Sequence, residues 1–151
     1  MARFTLTGSN ELIARLQQLG DGVETAGKAI LEAGAAVVVK ACRASIGRNE
    51  LVKTGAMLDS VASSRVKEDR DGAYVEITLR GKDKRGVRNA EKGFILNYGS
   101  SRIKPTYWVD EARRASEGPA RAAMEAAWAA FIAGRDAGGG TGAVSPENTT
   151  D

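Results

Sequence analysis

Half of the aromatic side chains in this chain, Phe94, Tyr98, Tyr107 and Trp108, fall within residues 92–109, KGFILNYGSSRIKPTYWV. Large aromatic surfaces supply much of the burial energy open to a small domain, so a stretch that concentrates them constrains where a core can form. Residues 94–98 are a short apolar run between Gly93 and Gly99, which is the pattern of a strand bounded by turn residues. Gly99-Ser100-Ser101 turns the chain, and Pro105 presets the backbone for a helix starting near Thr106. Strand and helix would then be joined by a connection of about ten residues, and the core is expected to assemble around that junction.

The 151 residues suit one domain, expected over 1–135, with 136–151 as a disordered tail because DAGGGTGAVSPENTTD has no hydrophobic period. Many of the 42% hydrophobic residues are alanines, so the core should be thin, with close-packed helices against a small sheet. No apolar run approaches the ~20 residues of a membrane span, and no leader pattern opens the sequence. The expectation is a soluble, unsecreted chain with no membrane partner. A single cysteine, Cys42, and the absence of histidine exclude an internal disulfide, the common zinc ligand sets and every histidine-based triad. All 22 Lys and Arg but only 16 of the 19 Asp and Glu lie in the first 135 residues, which therefore carry a formal +6. Such a charge suits nucleic acid or an acidic protein, and it suits plain solubility equally well.

Residues 3–7 alternate as a short edge strand does, and Ser9-Asn10-Glu11 can cap a helix carrying Leu12, Ile13, Leu16 and Leu19. A second, long helix is expected over 21–45, with a narrow stripe of small apolar residues. Gly27 and Gly34 within it cost about 1 kcal/mol each relative to alanine, which implies that another backbone passes close. Met57, Leu58 and Val61 read as a helical turn feeding a strand. Residues 61–67 and 73–80 then form a β-hairpin around Asp69-Arg70-Asp71-Gly72. Beyond the aromatic stretch, a helix over 106–114 should break at Gly118-Pro119 and resume over 120–134, with Trp128 and Phe131 as core anchors. The fold class is therefore α+β: a small, mainly antiparallel sheet of about four strands against a long N-terminal helix and a C-terminal helix.

Catalytic candidates are few. Lys53-Thr54-Gly55 only superficially resembles a phosphate loop, since Val52 stands where that motif requires glycine. Cys42 lies mid-helix, where burial makes a thiol inert. The carboxylates at 68, 69 and 71 sit at a hairpin tip and read as solvated turn residues rather than metal ligands. No cofactor and no enzymatic activity are expected. Residues 81–93, with Arg80, carry six basic and two acidic side chains in what reads as a long loop between strands. Arg80, Lys82, Lys84, Arg85 and Arg88 are its candidate contacts to a phosphate backbone or an acidic neighbour. No aromatic residue is interleaved there to stack on bases.

In order and spacing these features resemble the minor tail-component family of long-tailed bacteriophages. Thr54-Gly55-Ala56-Met57-Leu58-Asp59-Ser60-Val61 is similar to the family's TG-x-L-x-x-S-(I/V) element. Tyr98-Gly99-Ser100 followed by Pro105, Tyr107 and Trp108 is similar to its aromatic-Gly-(Thr/Ser) turn and Pro-aromatic helix start. The likeness spans about residues 25–133. Asn97 stands where the family usually has Glu, and the 81–93 segment is longer and more basic than is usual for it. The resemblance implies a virion structural protein of the head-tail neck, a tail completion or head-tail joining protein that works as a homo-oligomeric ring, expected to be hexameric. Implied partners are other neck and tail-tube proteins and the DNA in the channel, with host cytoplasm as the location before assembly. The alternative from the residues alone is a small basic nucleic-acid-binding regulator that uses residues 80–92.

Overall fold

The computed structural model describes residues 4–7, 22–51 and 55–138. The helix expected after Ser9, residues Lys53 and Thr54, and the tail from 139 onward lie outside the described residues. The architecture is α+β, as the sequence leads one to expect. In chain order it has β1 (Phe4–Thr7), α1 (Val23–Arg48), a single turn α2 (Ala56–Asp59), β2 (Val61–Ser63), β3 (Lys67–Asp69), β4 (Gly72–Leu79), α3 (Asn89–Tyr98) and α4 (Trp108–Gly138).

All strand pairings are antiparallel and all involve β4. β1 lies along one side of it, with Phe4 opposite Ile77, and β2 and β3 lie end to end along the other. β2 and β3 are one strand interrupted by a bulge. Val61 pairs with Leu79 and Ser63 with Ile77, yet Lys67 pairs with Tyr74, so the register slips by one residue between them. Ser64 sits at the slip: its N–H donates to the Glu76 carbonyl (2.7 Å) while its Oγ accepts the Glu76 N–H (3.0 Å). A side-chain oxygen thus replaces a ladder carbonyl, which keeps the pair satisfied across the bulge. The β3–β4 turn falls at Arg70-Asp71 as expected, closed by Gly72 at φ 124° and by an Asp71 N–H bond to Asp69 Oδ1 (2.9 Å).

One sheet face and α1 enclose the core: Val38, Cys42 and Ile46 of α1 meet Val75 and Ile77 of β4, with Met57 and Val61 at the margin. α4 closes the other side and runs antiparallel to α1. Ser45 near the end of α1 meets Trp108 at the start of α4, whereas Gly22 before α1 lies against Phe131. Trp128 and Phe131, half-buried with ring centroids 5.9 Å apart, therefore clasp the beginning of α1 rather than anchor the central core.

Several expectations are corrected. Residues 94–98 are the end of helix α3 and not a strand. Asn89, Gly93 and Asn97 are its buried positions, a four-residue step, so the apolar triplet Phe94-Ile95-Leu96 had no period of its own to separate strand from helix. The long loop consequently shrinks to residues 81–88. Of the four aromatics expected to build the core, only Trp108 is buried; Phe94, Tyr98 and Tyr107 are exposed. α4 begins at Trp108 rather than Thr106 and passes through Gly118-Pro119 without ending, and it includes residues 136–138 of the expected tail. Proline is tolerated there because Ala112, Ser116 and Ala120 hold one face buried, while Ala115, Gly118 and Pro119 face solvent on the other. α1 extends to Arg48, where Glu50 N–H to Gly47 O and Leu51 N–H to Ile46 O close a Schellman turn with Glu50 at φ 55°. No neighbour approaches the position of a Cβ on Gly27, so no backbone passes close there.

Candidate interaction surface

Residues 81–88 form an ordered loop built on one carboxylate. Asp83 Oδ1 accepts the N–H groups of Arg85 (2.8 Å) and Val87 (3.0 Å), its carbonyl accepts Gly86 N–H (3.0 Å), and Lys92 on α3 donates to Oδ2. With the Lys92 ammonium foremost and two backbone donors beside it, the Asp83 carboxyl titrates below its usual range. Asn89 closes the base of the loop. Its N–H donates to Gly81 O (3.0 Å) and its side-chain amide to Arg80 O (2.8 Å). Gly81 and Gly86, at φ 77° and 80°, take the two left-handed positions that the closed loop requires.

Lys82, Lys84, Arg85 and Arg88 stand exposed on this frame. Arg80 differs from them: its guanidinium donates to the Ser63 carbonyl on β2 (2.8 Å), which ties the end of β4 to its neighbour. Five cations expected to act alike thus divide into four exposed side chains and one strut.

α3 follows directly. Its inner face presents Gly93, where a Cβ would overlap Leu79 Cδ1 and fall 3.2 Å from Trp108 Cζ2; the Gly93 carbonyl accepts the Trp108 indole N–H (3.0 Å). The outer face carries Phe94 and Tyr98, with ring centroids 4.9 Å apart and planes tilted by 55°. After α3 the chain folds back on its last turn. Thr106 donates to Leu96 O through both N–H and Oγ1, and Tyr107 N–H donates to Asn97 O. Asn97, fully buried, accepts the Val109 N–H on Oδ1 (3.0 Å) and so caps α4 from another helix. Gly99, at φ 79° and ψ 178°, lies so near Ile103 O and Pro105 that a Cβ would sit within 2.9 Å of both. Tyr107 is held at φ 52° with its ring exposed.

The motif residues divide in the same way. Gly55 opens α2 at φ 73°, Leu58 packs against the core, and Ser60 Oγ donates to Met57 O (2.7 Å). α2, opened by Gly55, lies beside α3, which ends at Tyr98. Gly99, Pro105 and Trp108 shape the junction, while Ser100 binds back to Ile103 (2.8 Å) and Tyr98 and Tyr107 point outward.

At the junction of α1 and α4, Ser45 Oγ donates to Trp108 O (2.7 Å) and Glu111 Oε2 (3.1 Å), Arg48 pairs with Glu111 Oε1 (2.5 Å), and Asn49 donates to Oε2 (2.7 Å). Arg48 first, then Asn49 and Ser45, hold the Glu111 carboxyl below its usual range. Arg48 and Glu111 line an open groove with Thr106, Tyr107, Asp110, Arg114 and Ala115. Burial raises the Cys42 thiol to about 12. Among the described residues no group of three His, Cys, Asp or Glu is placed to hold a metal.

Sequence reasoning missed Asp83 and Asn97, the two residues that organise this surface. A lone polar residue in FILNY was the one visible signal for Asn97; Asp83 stood among basic neighbours and looked incidental. Charge is concentrated here too. Residues 80–104 hold eight Lys and Arg against Asp83 and Glu91, so this segment accounts for the whole +6 of residues 1–135.

A search of the curated proteins finds no match, and neither does a search of the solved structures. One family model, described as "Bacteriophage HK97-gp10, putative tail-component", matches residues 10–99. That match takes in α1, the whole hairpin, the basic loop and α3 up to Gly99, and the chain belongs to this HK97-gp10-like bacteriophage tail-component family.

Proposed function

We propose that the chain is a virion structural protein of the head-tail neck, a tail completion or head-tail joining component that acts as a ring around the DNA channel. Membership of a tail-component family supports a structural role in the particle. The observation that carries the finer reading is the concentration of net charge on one built surface, with four exposed cations fixed by Asp83 and Asn89 at the end of the sheet. A ring lining a DNA channel needs such cations on one side of each subunit and a near-neutral remainder for protein contacts. On this reading the protein works by contact and not by catalysis, with neighbouring subunits, other neck or tail-tube proteins and the DNA as its partners.

Replacing Lys82, Lys84, Arg85 and Arg88 by serine tests it. Joining of heads to tails in a complementation assay should fall by at least tenfold, with the circular dichroism of the isolated protein unchanged. Joining at the wild-type level overturns the role given to the loop. Arg80 is left intact because it braces β2. The same cations also favour a second reading, a small nucleic-acid-binding regulator. That reading requires DNA affinity in the isolated chain that drops steeply with added salt and disappears in the serine variant.

A further inference from the structure

The exposed large hydrophobic residues among those described are Val87, Phe94, Tyr98, Ile103 and Tyr107, and all of them fall within 87–107. They form the outward face of α3 and its two flanking loops, the same surface that carries the cations. Exposed aromatic rings beside arginine and lysine are what the centre of a protein interface is made of. The surface is also preorganised. The tight packing at Gly99 fixes the loop after α3, and Tyr107 is held in a left-handed conformation with the residue 54% exposed. Backbone strain kept at an exposed aromatic is expected where the residue has something to meet.

We propose that this face receives the β3–β4 hairpin tip of a second copy of the same chain, joined head to tail; this rests on the ring reading above. The tip is the complement in charge: Glu68, Asp69 and Asp71 are exposed there around Arg70, while Lys67 is taken up by Glu76 (2.8 Å) and Lys28 of α1, which also lies within reach of Glu68, is paired with Glu24 (2.7 Å). It is equally rigid, a two-residue turn closed by Asp69 and Gly72. The carboxylates meet Lys84 and Arg85 at the turn of the loop, which leaves Lys82 and Arg88, paired across its base, to the channel, and the Arg70 guanidinium lies over the Phe94 and Tyr98 rings.

Joined head to tail, the contact is heterologous. Tip and loop leave opposite ends of β4, whose eight residues separate them by about 26 Å at ~3.3 Å per residue. A copy that gives its tip to one neighbour keeps its own α3 face free for another. That is the arrangement that closes rings or extends filaments, whereas a reciprocal two-fold dimer, each tip in the other copy's face, would stop at two chains and overturn the head-to-tail form.

Two charge-reversed proteins test the docking: Glu68→Lys with Asp71→Lys on the tip, and Lys84→Glu with Arg85→Glu on the loop. Light scattering after gel filtration, over a concentration series and at low and high salt, gives the mass of each. The wild-type chain should form a closed oligomer, each variant alone should be monomeric, and an equimolar mixture should recover the oligomer because both of its interfaces are again complementary. Tyr98→Ser, which alters no charge, should raise the dissociation constant at least tenfold with an unchanged spectrum. An oligomer indifferent to both reversals overturns the docking and leaves the ring reading standing. A wild-type chain that is monomeric up to its solubility limit also overturns it, and particle complementation then judges the ring separately. Loss of double-stranded DNA binding in the loop variant, with no effect of the tip variant on mass, makes nucleic acid the occupant instead.

Discussion

At the scale of single residues, the arrangement depends on side chains placed where substitution has no room to relax. Gly93 is the clearest. Alanine in place of glycine ordinarily stabilises a helix by about 1 kcal/mol, but here the methyl group would enter the space of Leu79 and press on Trp108. Overpacking of this kind costs about 1–3 kcal/mol, so Gly93→Ala should lower the denaturation midpoint rather than raise it, as urea titration can check. Cys42 offers a second test. Its thiol, 1% exposed, should react with a thiol reagent only in denaturant. Because its folded value of about 12 lies above the ordinary 9.0, the stability it contributes is complete below pH 9 and declines as pH rises toward 12. Cys42→Ala should flatten that alkaline decline, measurable as the change in unfolding free energy between neutral and alkaline buffers.

At the scale of elements, α4 is the one whose local sequence and tertiary setting disagree most. Proline inside a helix removes a hydrogen bond and crowds the carbonyl one turn back, at a cost near 3 kcal/mol in a helix interior. Pro119 is exposed, so part of that cost is relieved by water. Pro119→Ala should stabilise the protein by about 1–2 kcal/mol, seen as a higher thermal midpoint, because α4 is already pinned to α1 on both sides of the proline. A lower midpoint would mean that the proline sets a bend on which the packing of Ala112 and Ala120 depends. α3 carries the opposite lesson. Its sequence allowed a strand or a helix, and what decided was the contact of Gly93 with Leu79 and Trp108 together with the fold-back of Thr106 and Tyr107 onto its last turn.

At the scale of the whole molecule, two carboxylates join parts distant in sequence. Glu111 holds α4 to the end of α1, and Asp83 holds the basic loop to α3. Both titrate below their ordinary values of 4.5 and 3.8, so their contribution is present above those values and is lost as pH falls through the lower, folded-state ones. Acid should therefore loosen the α1–α4 junction and the loop while the sheet persists. Amide exchange in α1 and α4 should rise earlier than in β4 as pH is lowered below about 4.5 in wild type, after correction for the intrinsic rate. Glu111→Gln should reduce that difference.

The sequence by itself determined the α+β class, the long helix α1, the hairpin with its turn at Arg70-Asp71, the burial of the thiol and the place of the cations. Each of these follows from an unambiguous period, a two-residue turn signal, or a plain count of charges. Only the tertiary structure decided that Phe94 and Tyr98 belong to a helix and face outward, that Arg80 is a brace, and that Asp83 and Asn97 organise the surface. Those outcomes rest on contacts between segments far apart in the chain: Leu79 with Gly93, Asn97 with Val109, Ser45 with Glu111. A short apolar run has no period long enough to choose between strand and helix, and the free energy that chooses comes from the neighbours it meets.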